Sequence, residues 1–251
     1  MQNLSLIINT VSKNADIWPM FFGQIEKHIS EGFFKKKYVF VDECDEPVPE
    51  GYEVVLYEKD KMYREQFAGC IMSVPEEYCV YISEDYILYD GIDVERIEEY
   101  ISILEDNKDL SFIRFVKGGI IEMSYLHFQH HPHLYEIYNF LPYFYTNQAA
   151  VWKTRTLEKI HQHGPNLHIG NTDYANSFEF QATKTCEKLG IQGTFCYYDE
   201  PKRGIYHYDS STFPHICTAL VKGKWNLSEY KEELGPLLVE YGIDVNKRGI
   251  F

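Results

Sequence analysis

The stretch Tyr78-Cys79-Val80-Tyr81-Ile82 runs straight into Ser83-Glu84-Asp85-Tyr86. A continuous apolar run of this length reads as a strand buried on both faces, the kind found in parallel sheets covered by helices. Two carboxylates directly after such a strand are costly to hold together unless something cationic sits between them. Hard oxygen ligands of this type suit Mg²⁺ or Mn²⁺ bridging a diphosphate. The plainer alternative is that Glu84 and Asp85 solvate a turn or cap the next segment.

Working outward, Tyr63, Phe67, Cys70, Ile71 and Val74 mark one face of a preceding helix, which Pro75 stops. Earlier still, Leu4 to Ile8 is a short apolar run opening into the polar loop Asn9 to Asn14. Trp18, Phe21, Phe22, Ile25 and Ile29 then recur at helical spacing, with Asp16 as a candidate N-cap and Pro19 in the first turn. Tyr38 to Val41 reads as a second strand closed by Asp42-Glu43, and Val54 to Tyr57 as a third. Downstream, a helix over Val94 to Leu104 precedes a strand at Ser111 to Val116. This alternation predicts an α/β protein with a mainly parallel central sheet and helices on both faces. In such sheets ligands bind beyond the carboxyl ends of the strands, which here means Thr10 to Asn14, Asp42-Glu43 and Ser83 to Tyr86.

Residues 118–147 are rich in aromatics and histidine without clean periodicity, and are expected to form a loop-dominated insertion over one end of the sheet. After them come a strand at Ala149 to Trp152, a short helix near Leu157 to His161, and a helix carrying Phe178, Ala182 and Leu189 that stops at Gly190. Strands at Thr194 to Tyr198 and Ala219 to Val221 follow. The tail from Leu227 to Tyr241 reads as helical but broken at Gly235-Pro236.

The chain has 251 residues, with 24 Lys+Arg against 38 Asp+Glu, a formal charge of −14. That argues against nucleic acid and anionic membrane surfaces as partners, since both need a basic face. No apolar stretch approaches the length of a membrane span, and the opening residues lack the basic and apolar regions of a signal peptide. A cytoplasmic protein without membrane insertion is expected. The six cysteines are spread singly, as suits reduced thiols. Neither G-x-G-x-x-G nor G-x-x-x-x-G-K-[ST] occurs, which disfavours dinucleotide and P-loop enzymes.

The run Tyr78 to Asp90 resembles the strand and acidic motif of nucleotide-diphospho-sugar glycosyltransferases of the GT-A fold. The resemblance extends back over Lys61 to Val74. It extends forward to Phe144-Tyr-Thr-Asn-Gln-Ala-Ala-Val-Trp-Lys153, to Asn176-Ser-Phe-Glu-Phe-Gln181, similar to a family S-W-E-F-E element, and to Val221-Lys-Gly-Lys-Trp225. It covers about residues 4–226. Ser83-Glu84-Asp85 replaces the usual D-x-D or D-D, Phe178 stands where the family often has Trp, and Gln181 where it has a second Glu.

The resemblance implies a single domain over 1–251, with a donor half at about 1–117, an acceptor half at about 118–226 and a helical tail at 227–251. It implies transfer of a hexose from a nucleotide-diphospho-sugar to a saccharide acceptor, as in polysaccharide biosynthesis, with inversion. A carboxylate must take the acceptor's proton, and Glu179 is the first candidate, Asp173 the second. Both residue types also simply favour a helix N-terminus. Donor contacts fall on Thr10, Val11, Ser12, Asp42, Arg64, Glu84, Asp85, Lys222 and Lys224. Asp85 and His207 are the candidate ligands of Mn²⁺ or Mg²⁺. Arg64 otherwise reads as a surface ion pair, and the two lysines as solvated strand ends. His127, His130, His131 and His133 lack a matching Cys pair or H-E-x-x-H for zinc, and read as a wet acceptor-side loop. Two rival readings stay open. One is a sugar nucleotidyltransferase, which wants a glycine-rich basic loop after the first strand where Asn9 to Asn14 has no glycine. The other is a binding module on the same fold that has lost turnover.

Overall fold

The computed structural model describes residues 3–119, 126–167, 177–204 and 206–251. Its strands are β1 (Leu4–Asn9), β2 (Lys36–Val41), β3 (Tyr52–Leu56), β4 (Tyr78–Ser83), β5 (Ile87–Leu88), β6 (Leu110–Arg114), β7 (Leu134–Ile137), β8 (Ala150–Lys153), β9 (Gln192–Cys196), β10 (Lys202–Arg203), β11 (His207–Tyr208), β12 (His215–Ile216), β13 (Leu220–Val221) and β14 (Lys224–Trp225). The helices are α1 (Trp18–His28), α2 (Tyr63–Ile71), α3 (Val94–Asp106), α4 (Thr154–Gln162), α5 (Phe178–Lys188), α6 (Lys231–Glu240) and α7 (Val245–Arg248).

Eight strands form one sheet in the order β3-β2-β1-β4-β8-β6-β9-β7. β3, β2, β1 and β4 pair in parallel, as do β6 and β9. β8 runs antiparallel to both β4 and β6, and β7 antiparallel to β9. The expected mainly parallel α/β sheet is therefore present. Its strands are apolar at successive positions because each face meets its own core. Leu6, Ile8, Val39, Val80 and Ile82 pack on the side of α1, α3 and α6, while Ile7, Tyr38, Phe40, Cys79 and Tyr81 pack on the side of α2, α4 and α5. Burying one such large side chain contributes about 1.5–3 kcal/mol before entropy is counted. Gly193 of β9 is required by packing, since a Cβ there would lie 2.1 Å from the ring of Phe112, which stacks on Trp152.

Three expectations need correcting. Within 118–147 the chain forms β7, an edge strand only four residues long whose middle positions are half-buried. So short a run leaves no periodicity to read. Asp16 does not cap α1: a 3-10 turn over Ser12–Ile17 leads into that helix, and Asp16 pairs instead with Arg248. α6 also runs unbroken through Pro236. The residue before a proline normally avoids helical geometry because its Cβ meets the ring, and Gly235 has no Cβ. No helix of the described residues is long and apolar enough to cross a membrane.

Candidate active site

β1 and β4 pair in parallel with Asn9 opposite Ser83, so the segments that follow both strands emerge side by side. Between them opens a cleft of about 850 Å³ lined by Thr10, Val11, Ser12, Glu84 and Asp85, all expected at this end of the sheet. The loop after β1 is held from behind. Asp42, at the end of β2, accepts from the Ser12 amide at 2.6 Å and its hydroxyl at 3.1 Å, and pairs with Lys59 at 3.1 Å. Burial opposes this charge, but the Ser12 and Lys59 bonds prevail and keep the carboxyl below its ordinary range. Trp18 Nε1 donates to Thr10 Oγ1 at 2.9 Å, and the Tyr57 hydroxyl to the Thr10 carbonyl at 2.8 Å. Asp42 thus shapes the cleft without being among the residues that line it.

Glu84 is only 7% exposed, and the Asn14 amide nitrogen donates to its Oε1 at 2.5 Å. Its pKa is raised by burial, which that bond and the charges of Lys13 and Arg248 only partly oppose. Asp85 is half-buried and has no cationic partner among the described residues. Burial and the neighbouring Glu84 push it up to about 8. An acid pair so poorly neutralised suits a hard cation.

A second cavity of about 390 Å³ is lined by Glu179, Arg114, Tyr86, Gln148 and His207. Glu179 stands in the first turn of α5, whose cap is the Ser177 hydroxyl accepting from the Phe180 amide. Its Oε1 accepts from the Asn147 amide at 2.7 Å. Burial raises its pKa, against that bond and the charge of Arg114. Arg114 ends β6, is 3% exposed, and donates to the carbonyls of Tyr143 at 3.1 Å and Phe144 at 2.7 Å. Asn147 lines the first cavity and its neighbour Gln148 the second, so this short segment divides them.

Other expected residues lie elsewhere. His207 faces the smaller cavity, but its Nε2 is bonded to the Tyr230 hydroxyl, and burial lowers its pKa. It is not brought to Asp85 as a metal ligand. Among the described residues no group of three His, Cys, Asp or Glu could hold a metal ion. Arg64 is half-buried and bonds Asn166 Oδ1 and the carbonyl of Gln162, the last residue of α4, rather than a carboxylate of the cleft. Lys222 and Lys224 are exposed on the β13–β14 hairpin, of which Leu220 and Gly223 line the cleft. Asp173 lies outside the described residues. In the histidine-rich segment, His131 Nε2 bonds Glu99 at 3.2 Å and His127 Nδ1 the His131 carbonyl at 2.9 Å.

Sequence reasoning missed Arg114, Lys247 and Arg248. A charge ending an apolar strand could have flagged Arg114. Lys247 and Arg248 line the larger cleft from the far end of the chain, and no local pattern marks them.

The sequence matches no known protein family and no curated protein. Among solved structures, it is similar to the crystal structure of S. aureus TarS 1–349, at 12% identity and TM-score 0.50, over 95% of this chain and 65% of that one. The chain thus spans a little under two thirds of that structure. The mannosyltransferase PcManGT from Pyrobaculum calidifontis, in complex with GDP-Man and Mn²⁺, aligns at 11% identity and TM-score 0.49, over 81% of this chain and 58% of that one. A CMP:2-keto-3-deoxy-manno-octonic acid synthetase complexed with CTP aligns at 9% identity and TM-score 0.47, over 77% and 88%. The fold is GT-A-like, as expected from the sequence.

Proposed function

We propose that the protein is a glycosyltransferase that moves a hexose from a nucleotide-diphospho-sugar to a saccharide acceptor with inversion. The observation that carries this reading is the meeting of two cavities of unequal chemistry. One holds Glu84 and Asp85 beyond the strand ends, and the other holds Glu179, with Asn147 and Gln148 between them. The larger suits the donor and the smaller the acceptor: residues 1–117 supply most of the donor cleft, completed by Asn147, Leu220, Gly223, Lys247 and Arg248, and residues 118–226 most of the acceptor cavity, completed by Tyr86 and Arg114. Glu179 accepts the proton of the acceptor hydroxyl while its oxygen forms a bond to the anomeric carbon. The bond from that carbon to the diphosphate breaks on the opposite face, and the nucleoside diphosphate leaves.

Glu84 and Asp85 are the groups that would hold Mn²⁺ or Mg²⁺, since two adjacent acids that are only partly compensated by Asn14, Lys13 and Arg248 fit such an ion in place of a proton. Bound there, the ion supplies positive charge to the departing diphosphate. Among the described residues no third carboxylate or imidazole joins the pair.

The test is incubation with Mn²⁺ or Mg²⁺ and a panel of nucleotide sugars and saccharides, following release of nucleoside diphosphate. Release that depends on both donor and acceptor supports the reading. Pyrophosphate release from a nucleoside triphosphate and a sugar phosphate, or a thermal shift with no product at all, overturns it in favour of a nucleotidyltransferase or a binding module.

A further inference from the structure

In a chain of net charge −14, three cations converge on one cleft: Lys13, Lys247 and Arg248. Lys13 lies in the turn after β1, whereas Lys247 and Arg248 arrive from α7 at the other end of the sequence. Their backbone is firmly fastened. Asp244 Oδ1 caps α7 by accepting from the Asn246 amide at 3.0 Å. Gly249, at φ 77°, turns the chain in a conformation that other residues adopt only with strain. Beyond it the Trp225 amide donates to the Gly249 carbonyl at 3.0 Å, and the Phe251 amide to the Trp225 carbonyl at 2.9 Å. Trp225 is wholly buried, so the turn is anchored to the core through β14.

Arg248 is also oriented. Its Nε donates to Asp16 Oδ2 at 2.8 Å, and its Nη2 to Asp16 Oδ1 and to Asn14 Oδ1, the latter at 3.1 Å. Asn14 in turn reaches Glu84. Nη1 has no partner among the described residues, and neither Lys13 nor Lys247 has an ion-pair partner there. Both lysines are exposed. One fixed guanidinium with Nη1 unused and two exposed ammonium groups make a receptor for a multiply charged phosphate, because the guanidinium sets geometry and the lysines add charge.

We propose that Lys13, Lys247 and Arg248 form a cradle for the pyrophosphate group of a nucleoside diphosphate, which makes the α7 turn a working wall of the donor cleft. This rests on reading the cleft as the donor site, and gives that site its anion-binding residues. In a pocket that also contains Asp16, Glu84 and Asp85, these cations offset the repulsion a diphosphate would otherwise meet.

The test is calorimetric titration of the full chain with inorganic pyrophosphate, with and without Mg²⁺, and with a matched nucleoside mono- and diphosphate. Lys13→Ala with Lys247→Ala, both at exposed positions, is expected to weaken pyrophosphate binding roughly ten-fold and to cost the diphosphate more than the monophosphate. Lys247→Arg retains affinity. Arg248→Gln weakens binding as well, with folding checked by its melting temperature. Pyrophosphate affinity in the double lysine variant within about two-fold of wild type, in both buffers, overturns the cradle. Lysine-dependent pyrophosphate binding without turnover of any sugar donor sinks the transferase reading and leaves the cradle standing. Turnover with lysine-independent pyrophosphate binding does the reverse.

Discussion

The amide of Asn147 donates a 2.7 Å hydrogen bond to Oε1 of Glu179, so the segment that divides the two cavities also aims the carboxylate of one of them. Gln at position 179 still accepts that bond through its own Oε1 but takes no proton. Glu179→Gln is therefore expected to lower kcat by about 10²–10⁴-fold with donor affinity unchanged. Because burial raises the pKa of Glu179 and the base works ionised, kcat/KM should fall as pH drops through a value above that of an ordinary glutamate. Wild-type turnover by the variant removes Glu179 from the mechanism.

Asp85 predicts a conflict between stability and activity. Its folded pKa, pushed up to about 8, exceeds the unfolded value near 4, so the folded state binds the extra proton between those limits. Stability must then be lost as pH rises through that window, with the full penalty above pH 8. Asp85→Asn should melt higher than wild type at pH 9, show little gain near pH 4, and lose donor turnover. Scanning calorimetry across this range checks the sign. A variant that melts lower at pH 9 contradicts the uncompensated acid pair.

The parallel core was legible because both faces of its strands are covered, so Leu4 to Ile8 and Tyr78 to Ile82 could only be buried runs. The acidic pair was legible for the same reason: it interrupts one of those runs at its carboxyl end. β7 was not, since a short edge strand has neither length nor alternation. Arg248 was not, because its meaning lies in Asp16 and Asn14, more than two hundred positions away and joined to it only by folding. Arg64 misled in the opposite sense. A cation on the helix before an acidic motif suggests a phosphate partner, whereas its hydrogen bonds go to the end of α4.

His161 is wholly buried, stacks 4.0 Å from Phe67, and shares a 2.9 Å hydrogen bond with the Tyr145 hydroxyl. Burial drives its pKa down to about 3, and that of His215 to about 4. Both are near 6.5 when unfolded, so below that pH the unfolded chain binds more protons and stability is lost, at up to about 1.4 kcal/mol per pH unit for each imidazole. Glu84 and Asp85 act in the opposite direction over the same range, and the wild-type slope is their difference. His161→Gln should lower the urea midpoint at pH 7.5 yet lose less than wild type does between pH 6.5 and 4.5. Parallel profiles for the two proteins rule out a buried neutral histidine at this position.

Asp42 separates shaping a site from touching its ligand. Its carboxylate is occupied by the Ser12 amide, the Ser12 hydroxyl and Lys59, and it does not line the cleft. Were it a direct ligand to a ribose or base, Asp42→Asn and Asp42→Ala would weaken nucleotide binding alike, because each removes the charge. As a clamp on the loop after β1, Asn can still accept from the Ser12 amide through its remaining oxygen, while Ala leaves that amide unpaired at a cost of about 1–3 kcal/mol. The expected order is therefore near-wild-type affinity for Asp42→Asn and about a ten-fold loss for Asp42→Ala. The Ala variant should also exchange the Ser12 amide faster in hydrogen–deuterium exchange. Equal losses in both variants, with Ser12 protection intact, assign Asp42 to ligand contact instead.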